Sequence, residues 1–224
     1  SYRIPRMAKP RILVTNDDGF TSEGIQVLAD ALEGLGEIWV VAPDSEQSAV
    51  SHALTLDRPL RIKRLGERRV AVDGTPTDGS YLAINHLMKD ARPTLVVSGI
   101  NHGPNLADDV TYSGTVAAAM EGVRGGIPAI AVSLDSGTEE TEAPDYARAA
   151  RFAARLATFL LESNPLPPGI LLNVNIPNLP PGRPAEVRVT RLGGLAYKNY
   201  LVTGEDPRGR SYYWITGDPL TEVP

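Results

Sequence analysis

The stretch RILVTNDDG, residues 11–19, decides the fold of this chain. Its apolar run at 12–14 ends in an asparagine, two aspartates and a glycine, and a helical pattern begins three residues later. Apolar runs that are bounded by turn residues and followed by a helix are typical of a buried strand in an α/β sheet. The stretch therefore predicts a first strand whose carboxyl end carries two carboxylates. Open parallel sheets bind their ligands at that edge.

The adjacency of Asp17 and Asp18 points to a cation. Two ionised carboxylates repel each other, so a crowded turn is unfavourable unless a positive charge lies between them, and a divalent cation is the simplest candidate. The alternative interpretation is a solvated loop in which an aspartate forms a turn and caps the next helix. The nine residues by themselves leave both interpretations open.

Composition limits the classes of function. The 224 residues carry a net charge of −5, and no basic run is interleaved with aromatic residues, so we expect no nucleic-acid polymer as partner. The chain has no cysteine, which leaves oxygen atoms and three histidines as metal ligands. This ligand inventory favours a hard ion such as Mg²⁺ or Mn²⁺.

The chain carries no signal for a membrane. No apolar stretch is long enough to span a bilayer, and residues 1–6 lack the apolar centre of a signal peptide. We therefore expect a cytoplasmic protein without a membrane partner. Met7 resembles a natural start, so residues 1–6 are left out of the fold prediction.

Strands, polar loops and helices alternate along most of the chain. An amphipathic helix at 22–35 and a strand at 37–42 complete a strand-helix-strand unit. Further strands are predicted at 94–98, 127–134 and 170–175, and helices at 74–89, 116–124 and 145–161. A β-hairpin at 55–73 is predicted as an excursion from the main sheet. Together these elements predict an α/β fold with a mainly parallel sheet.

The C-terminal part has a different composition. Prolines cluster between 177 and 184, and beyond them the chain is aromatic and strand-like without further helices. We predict a catalytic domain over 7–185 and a C-terminal β-rich arm over 186–224. An apolar arm that leaves a compact domain usually contacts a partner subunit.

The predicted loops at the carboxyl ends of the strands collect polar residues. Ser48 follows the second strand and Asn101 the strand at 94–98, whereas Ser113, Gly114 and Thr115 begin a helix and offer hydroxyls and N–H groups to an anion such as phosphate. Each of these residues alone is equally well explained as a turn former or a helix N-cap. Together with Asp17 and Asn105 they supply cation ligands and anion donors, as metal-assisted phosphoester hydrolysis requires.

Seven motifs resemble those of the stationary-phase survival protein SurE family and occur in the family's order. They are ILVTNDDG (12–19), VVAPDSEQSAVSHALT (40–55), GTPTDG (74–79), VSGINHGPNLADDVTYSGTVAAAMEG (97–122), IPAIAVS (127–133), NVNIP (173–177) and PRGRSYYWITGDP (207–219). The resemblance implies a Rossmann-like, mainly parallel sheet with helices on both faces. It also implies that the C-terminal arm is exchanged between the subunits of a homodimer or homotetramer.

The resemblance further implies an activity and a site. Members are metal-dependent 5′/3′-nucleotidases, which hydrolyse nucleoside monophosphates to nucleoside and phosphate and can have an exopolyphosphatase side activity. The family's metal ligands correspond to Asp17, Asp18, Ser48 and Asn101, which would hold one divalent ion, Mg²⁺ or Mn²⁺, per subunit. We expect Asp17, Asp18 and Asn101 to be catalytic, with Asp17 either a ligand or the base that activates water. We expect phosphate to bind to Asn105, Ser113, Gly114 and Thr115.

The sequence departs from the family pattern at three places. Gly79 stands where members usually have a cysteine and Ala107 where they usually have a glycine, and members usually continue beyond residue 224. Neither substituted position is a ligand. The last difference leaves two explanations open, a truncated chain or an unresolved tail, and it bears most on the expected contacts between subunits.

Three other functional classes could use an acidic site of this kind. Phosphatases of the haloacid dehalogenase type use two aspartates separated by one residue, whereas Asp17 and Asp18 are adjacent. Receiver domains need an acceptor aspartate after the third strand, where this chain has Asn101. A non-catalytic nucleotide sensor with the same site stays open at this point.

Overall fold

A computed structural model describes residues 9–135, 143–162, 166–180, 183, 186–194, 197–198, 201–215 and 218–219. The strands are β1 (Arg11–Thr15), β2 (Glu37–Pro43), β3 (Ile62–Gly66), β4 (Arg69–Val72), β5 (Leu95–His102), β6 (Ala129–Asp135), β7 (Leu171–Pro177), β8 (Tyr197–Lys198), β9 (Leu201–Glu205), β10 (Ser211–Ile215) and β11 (Asp218–Pro219). The α-helices are α1 (Glu23–Leu32), α2 (Pro76–Leu82), α3 (Gly114–Arg124) and α4 (Tyr146–Glu162). A π-helical segment (Ala83–Leu87) continues α2, and a 3₁₀-helix (Ala107–Thr111) precedes α3.

Seven strands form one sheet in the order β3-β4-β2-β1-β5-β6-β7. Only β3 runs antiparallel to its neighbour β4, and the other neighbouring pairs are parallel. The predicted mainly parallel α/β sheet is confirmed. The chain first builds outwards from β1 through β2 and β4, and then returns to the other side of β1 with β5. The reversal of direction lies between β1 and β5, where ligands bind in open sheets of this kind.

Helices cover both faces of the sheet, as the family resemblance implies. α1 and α4 pack over one apolar core, and α2 and α3 pack over the other. Consecutive residues of β1 alternate between the two: Ile12 and Val14 join the first core and Leu13 the second, and all three are fully buried. A strand covered on both faces is apolar without interruption, which explains the run at 12–14.

The hairpin is not an excursion from the main sheet, which corrects the prediction. β3 and β4 form it, but β4 also pairs in parallel with β2, so the hairpin extends the sheet at its edge. Residues 55–61 precede β3 and are not part of a strand. Val70 and Val72 are fully buried, whereas all of β3 is exposed. Burial of the apolar residues of β4 therefore gives the reason for its place in the sheet.

The N-termini of α2 and α1 are held by different side-chain hydrogen bonds. Thr75 and Asp78 form a reciprocal capping box at the start of α2, so Asp78 stabilises this helix terminus. Ser22 stands at the N-cap of α1 but makes no side-chain bond to the helix. Its hydroxyl instead accepts from the Asn16 side-chain amide at 2.8 Å. This hydrogen bond connects the start of α1 to the turn that contains Asp17 and Asp18.

The end of β5 is irregular, and this irregularity places Asn101. The register with β6 shifts between Ser98 and Asn101, and the Gly99–Ile100 peptide bond is cis. Gly99 has a φ of +134°, and a Cβ on it would lie 2.2 Å from the Val132 carbonyl oxygen. Only glycine fits this backbone position.

Ala107 has a left-handed backbone, with a φ of +48°. Residues with a Cβ rarely adopt this conformation, and glycine adopts it without steric cost. The glycine that SurE family members usually have here is explained by this geometry. This chain holds an alanine in the same conformation.

The C-terminal segment contains the predicted antiparallel hairpin. β9 and β10 pair from Leu201 opposite Ile215 to Glu205 opposite Ser211. Their apolar and aromatic residues are exposed, with Trp214 67% and Ile215 89% accessible. No strand forms at 188–191, a stretch that lies within the predicted β-rich arm. Within the described ranges, no helix is both long and apolar enough to cross a membrane.

Candidate functional site

The loops that follow β1, β2 and β5 meet at one edge of the sheet. The loop between β2 and β3, residues 44–61, contains Ser48 and is called the Ser48 loop. β1 lies between β2 and β5, so the turn with Asp17 and Asp18 stands between this loop and Asn101. The Gln47 backbone N–H donates to the Asp17 carbonyl at 2.8 Å, and the His102 N–H donates to Asp18 Oδ2 at 3.3 Å. The structure therefore brings these predicted loops together.

Asp17 lies against the first turn of α3. Its side chain accepts a short hydrogen bond from the Thr115 hydroxyl, and the backbone N–H groups of Gly114 and Thr115 also favour its ionised form. Burial acts in the opposite direction and is the largest effect, so it raises the pKa of Asp17 above its ordinary value. The helix N-terminus holds this carboxylate in place.

Asp18 is the more strongly perturbed carboxyl group. Its pKa is raised from 3.8 to about 7, mainly by burial and in addition by the charges of Asp17 and Glu46. The hydrogen bond from the His102 backbone lowers the pKa but does not compensate for burial. In the absence of a cation, the two carboxyl groups resist carrying their charges together.

Ser48 and Asn101 contribute neutral oxygen atoms. Ser48 is exposed, and its hydroxyl donates to Glu46 Oε1 at 2.8 Å. The Asn101 side-chain amide donates to the Gly103 carbonyl at 2.8 Å, which fixes the side chain and leaves its amide oxygen as an acceptor. The bond to Glu46 uses the Ser48 hydrogen and leaves the lone pairs of the hydroxyl oxygen for a cation.

The donor set fits a hard divalent cation. Within the described part of the chain, neither Asp17 nor Asp18 forms an ion pair with lysine or arginine. There, too, no group of three histidine, cysteine or acidic side chains is placed to hold a metal. A cation at this edge would thus have two carboxylates and otherwise neutral oxygen ligands, as Mg²⁺ and Mn²⁺ accept.

The four residues predicted to bind phosphate lie near this edge and have protein partners. Ser113 caps α3 by accepting from the Val116 N–H at 3.1 Å, and Thr115 donates to Asp17. The Asn105 side chain donates to the Ser133 hydroxyl at 2.7 Å, and its backbone N–H donates to Asn175 Oδ1 at 2.7 Å. Gly114 faces Asp17, because a Cβ on it would lie 2.7 Å from Asp17 Cβ.

Sequence reasoning missed three residues at this edge. The His102 imidazole Nδ1 lies 3.0 Å from the Tyr146 hydroxyl, and burial, with the charges of Asp18 and Glu23, raises the pKa of Tyr146. Tyr146 was assigned only to the buried face of α4. Asn16 is fully buried and donates to the Gly19 carbonyl at 2.9 Å, which holds the aspartate turn. The signal for Asn16 was its place between a strand and two aspartates.

A groove of about 460 Å³ lies at the opposite end of the sheet. It is lined by residues at the starts of β2 and β4, among them Glu37 and Arg69, and by Lys9. Arg68, also in its lining, lies 3.6 Å from Glu37. Its charges are mixed and it contains none of the predicted site residues, so the carboxyl edge is the better candidate for chemistry.

The raised pKa of Asp18 predicts opposite pH dependences for stability and metal binding. Between pH values of about 4 and 7 the metal-free folded protein keeps a proton that the unfolded chain has lost, so its stability falls as pH rises through this range. Metal must displace that proton, so apparent Mn²⁺ affinity should rise with pH, by up to about tenfold per unit, and level off above about 7.

Thermal unfolding in EDTA and Mn²⁺ titration, each between pH values of about 5.5 and 8, measure the two trends on either side of a pKa of about 7. The difference between wild type and Asp18→Asn isolates this one group from the other carboxyl groups. An Mn²⁺ affinity that does not change over the range would contradict the prediction.

Comparisons with known proteins agree on one family. Residues 12–199 match the family described as "Survival protein SurE". A "5′-nucleotidase SurE" of Myxococcus xanthus is 60% identical over 92% of this chain and 76% of its own length, and one of Geotalea daltonii is 54% identical over 92% and 81%. The crystal structure of the SurE protein from Aquifex aeolicus has a TM-score of 0.80 and 41% identity, covering 93% of this chain and 83% of that one.

Proposed function

The chain belongs to the SurE family, and on this premise we propose that it is a metal-dependent phosphomonoesterase of nucleoside 5′- and 3′-monophosphates. The products are nucleoside and phosphate. The observation that carries the proposal is the pair of adjacent carboxylates, with Asp17 buried and Asp18 partly buried, at the sheet's reversal point and beside the first turn of α3. This arrangement supports the proposal, because phosphoester hydrolysis uses cation ligands next to anion donors.

We assign the metal ligands to Asp17, Asp18, Ser48 and Asn101. One Mg²⁺ or Mn²⁺ ion per subunit, when bound, would lower the pKa of a water molecule and neutralise charge on the phosphoryl group. Thr115 and Gly114 hold the Asp17 carboxylate at the start of α3. A carboxylate fixed in this way can act as a ligand or accept a proton from water, and both roles need its ionised form.

We assign the phosphate donors from the side-chain hydrogen atoms that are not used in hydrogen bonds within the protein. Ser113 accepts from Val116, so its hydroxyl hydrogen can still be donated to a phosphate oxygen. The Asn105 amide has two hydrogens, and its contact with Ser133 uses one. Thr115 donates its hydrogen to Asp17 and contributes through that carboxylate, while Gly114 lets the backbone approach. These donors would stabilise the negative charge that develops on the phosphoryl oxygens.

The C-terminal hairpin belongs to the same proposal. The domain over 7–185 would carry the chemistry, and the arm over 186–224 would be exchanged between subunits of a homodimer or homotetramer. The exposed apolar side chains of β9 and β10, Trp214 and Ile215 among them, support a partner surface there. Exopolyphosphatase activity is a proposed side reaction, because it also transfers a terminal phosphoryl group to water, although from a phosphoanhydride rather than an ester.

The experiment is phosphate release from a panel of nucleoside 5′- and 3′-monophosphates, with polyphosphate added as a further substrate. We expect turnover with Mg²⁺ or Mn²⁺ and its loss in EDTA, because the carboxylates alone do not neutralise the phosphoryl charge. Restoration of activity by added metal is the control for EDTA. Binding of Mn²⁺ and nucleotide without phosphate release would favour the nucleotide sensor instead.

A further inference from the structure

Glu121 is a buried carboxylate in the middle of α3. Its side chain is 8% exposed, and its Oε1 lies 2.7 Å from His52 Nε2 and 3.3 Å from Arg124 Nε. A buried charge needs close partners. Arg124 is 71% exposed and follows on the same helix, whereas His52 is 33% exposed and belongs to the Ser48 loop. A carboxylate only accepts hydrogen bonds, so His52 Nε2 donates and is the partner that crosses from loop to helix.

The Ser48 loop has a backbone that needs such a tether. Between β2 and β3, Ala49 and Ser51 have φ values of +57° and +55°, in the left-handed region. This conformation is sterically unfavourable for a residue with a Cβ. It persists only when neighbouring contacts hold it. Such contacts are the Ser51 N–H donating to the Tyr112 carbonyl at 2.9 Å, and His52 on Glu121.

α3 connects this tether to the carboxylate pair. Thr115 in its first turn contacts Asp17, and Glu121 lies six residues further along the helix, about 9 Å at the usual helical rise. A loop fixed to Glu121 is therefore fixed relative to Asp17. Because Ser48 lies four residues before His52, the position of its hydroxyl depends on this connection.

We propose that His52 is a positioning residue, which holds the Ser48 loop against Glu121 so that the Ser48 oxygen stands beside Asp17 and Asp18. The inference rests on the proposed metal site and adds a residue that does not touch the ion. A neutral hydroxyl binds a hard cation weakly, so it contributes mainly when it is held in place. Residues that orient metal ligands typically change metal affinity by about 10–100-fold.

The test uses Mn²⁺ alone and the full chain. We expect His52→Ala to weaken Mn²⁺ binding by about tenfold, measured by calorimetry or electron paramagnetic resonance, since the two carboxylates remain. His52→Gln should retain most of the affinity because its amide nitrogen can replace Nε2. His52→Asn, whose amide nitrogen corresponds to Nδ1, should not. Arg124→Ala is the matched control: it removes the other partner of Glu121 without touching the loop, and should leave affinity within about twofold.

Hydrogen exchange in EDTA gives a readout that is independent of metal. The Ser51 amide should exchange faster in His52→Ala and His52→Asn than in wild type, while Arg124→Ala should leave it unchanged. Equal Mn²⁺ affinities for the glutamine and asparagine variants would overturn the inference, even if the alanine variant folds poorly. So would an equal loss in Arg124→Ala.

The outcomes separate this inference from the proposed function. If the wild type binds Mn²⁺ and releases phosphate but His52→Ala binds Mn²⁺ equally well, the positioning role of His52 is rejected. The proposed phosphatase function is retained in that case. A folded wild type that binds no Mn²⁺ removes both.

Discussion

Asp18→Asn is expected to abolish metal-dependent phosphate release, with a loss on the order of 1,000-fold or more. The substitution replaces one of only two carboxylates at the site by a neutral amide of nearly the same shape. Burial and the neighbouring Asp17 already raise the pKa of Asp18 to about 7, which marks it as the group that most needs a cation. Phosphate release and Mn²⁺ titration on the same samples measure both effects.

The same substitution should stabilise the metal-free protein. Above pH values of about 7 the wild type carries a charge at Asp18 that the folded site disfavours, and the amide removes it. We expect the variant to unfold several degrees higher than wild type in EDTA at pH 8, and Mn²⁺ to stabilise only the wild type. Inactivity together with higher metal-free stability distinguishes loss of the ligand from loss of the fold.

Asp108→Asn is the matched control. Asp108 belongs to the second acidic pair of the chain, and it is exposed in the 3₁₀-helix before α3. Activity within about twofold of wild type is expected for this variant, because Asp108 is exposed and is not among the proposed metal ligands or phosphate donors. Full activity in Asp18→Asn would sink the proposed metal site.

Gly114→Ala should have the second large effect, because no space exists for a side chain at the start of α3. A Cβ there would lie 2.7 Å from Asp17 Cβ, closer than real contacts allow, and 3.0 Å from Pro76 Cγ, which is an unusually tight contact. Either Asp17 or the first turn of α3 must move. Since displacements of about 1 Å can cost about 100-fold in rate, we expect kcat/KM for nucleotides to fall by about that factor.

Gly122→Ala on the same helix separates this effect from general overpacking. Its Cβ would lie 2.7 Å from Val96 Cγ2, an equally severe contact, but in the apolar core and away from the aspartates. Overpacking of a core typically costs about 1–3 kcal/mol, so this variant should unfold at lower temperature. It should keep the Mn²⁺ affinity of wild type, whereas Gly114→Ala should lose it. Equal Mn²⁺ affinities in the two variants would contradict the assignment of Gly114 to the site.

Much of the fold was predictable because apolar periodicity reports burial. The run at 12–14 predicts a strand covered on both faces, and β1 has such a place at the centre of the sheet. The capping pair Thr75 and Asp78 is local, so the start of α2 could be predicted from four residues. The hairpin was misplaced because its pattern predicts strands but does not identify the neighbour of β4, which lies about 30 residues earlier in β2.

The candidate site was predictable in its membership but not in its contacts. Asp17 and Asp18 follow β1 and Asn101 lies near the end of β5, and parallel topology alone brings the carboxyl ends of those strands to one edge. That Thr115 donates to Asp17 rather than only capping a helix depends on how α3 packs. The approach of His102 to Tyr146 depends on α4, 44 residues further along the chain.

The sequence by itself determined the alternation of strands and helices, the parallel sheet and the residue types at its reactive edge. These depend on local propensity, on burial patterns and on a topology that permits few arrangements. Tertiary structure alone decided which hydrogen bonds and charges surround each side chain. It placed Glu121 beside His52, 69 residues apart, and raised the pKa of Asp18 by burial. Desolvation and hydrogen bonding depend on atoms from distant segments, and no local pattern in the sequence encodes their distances.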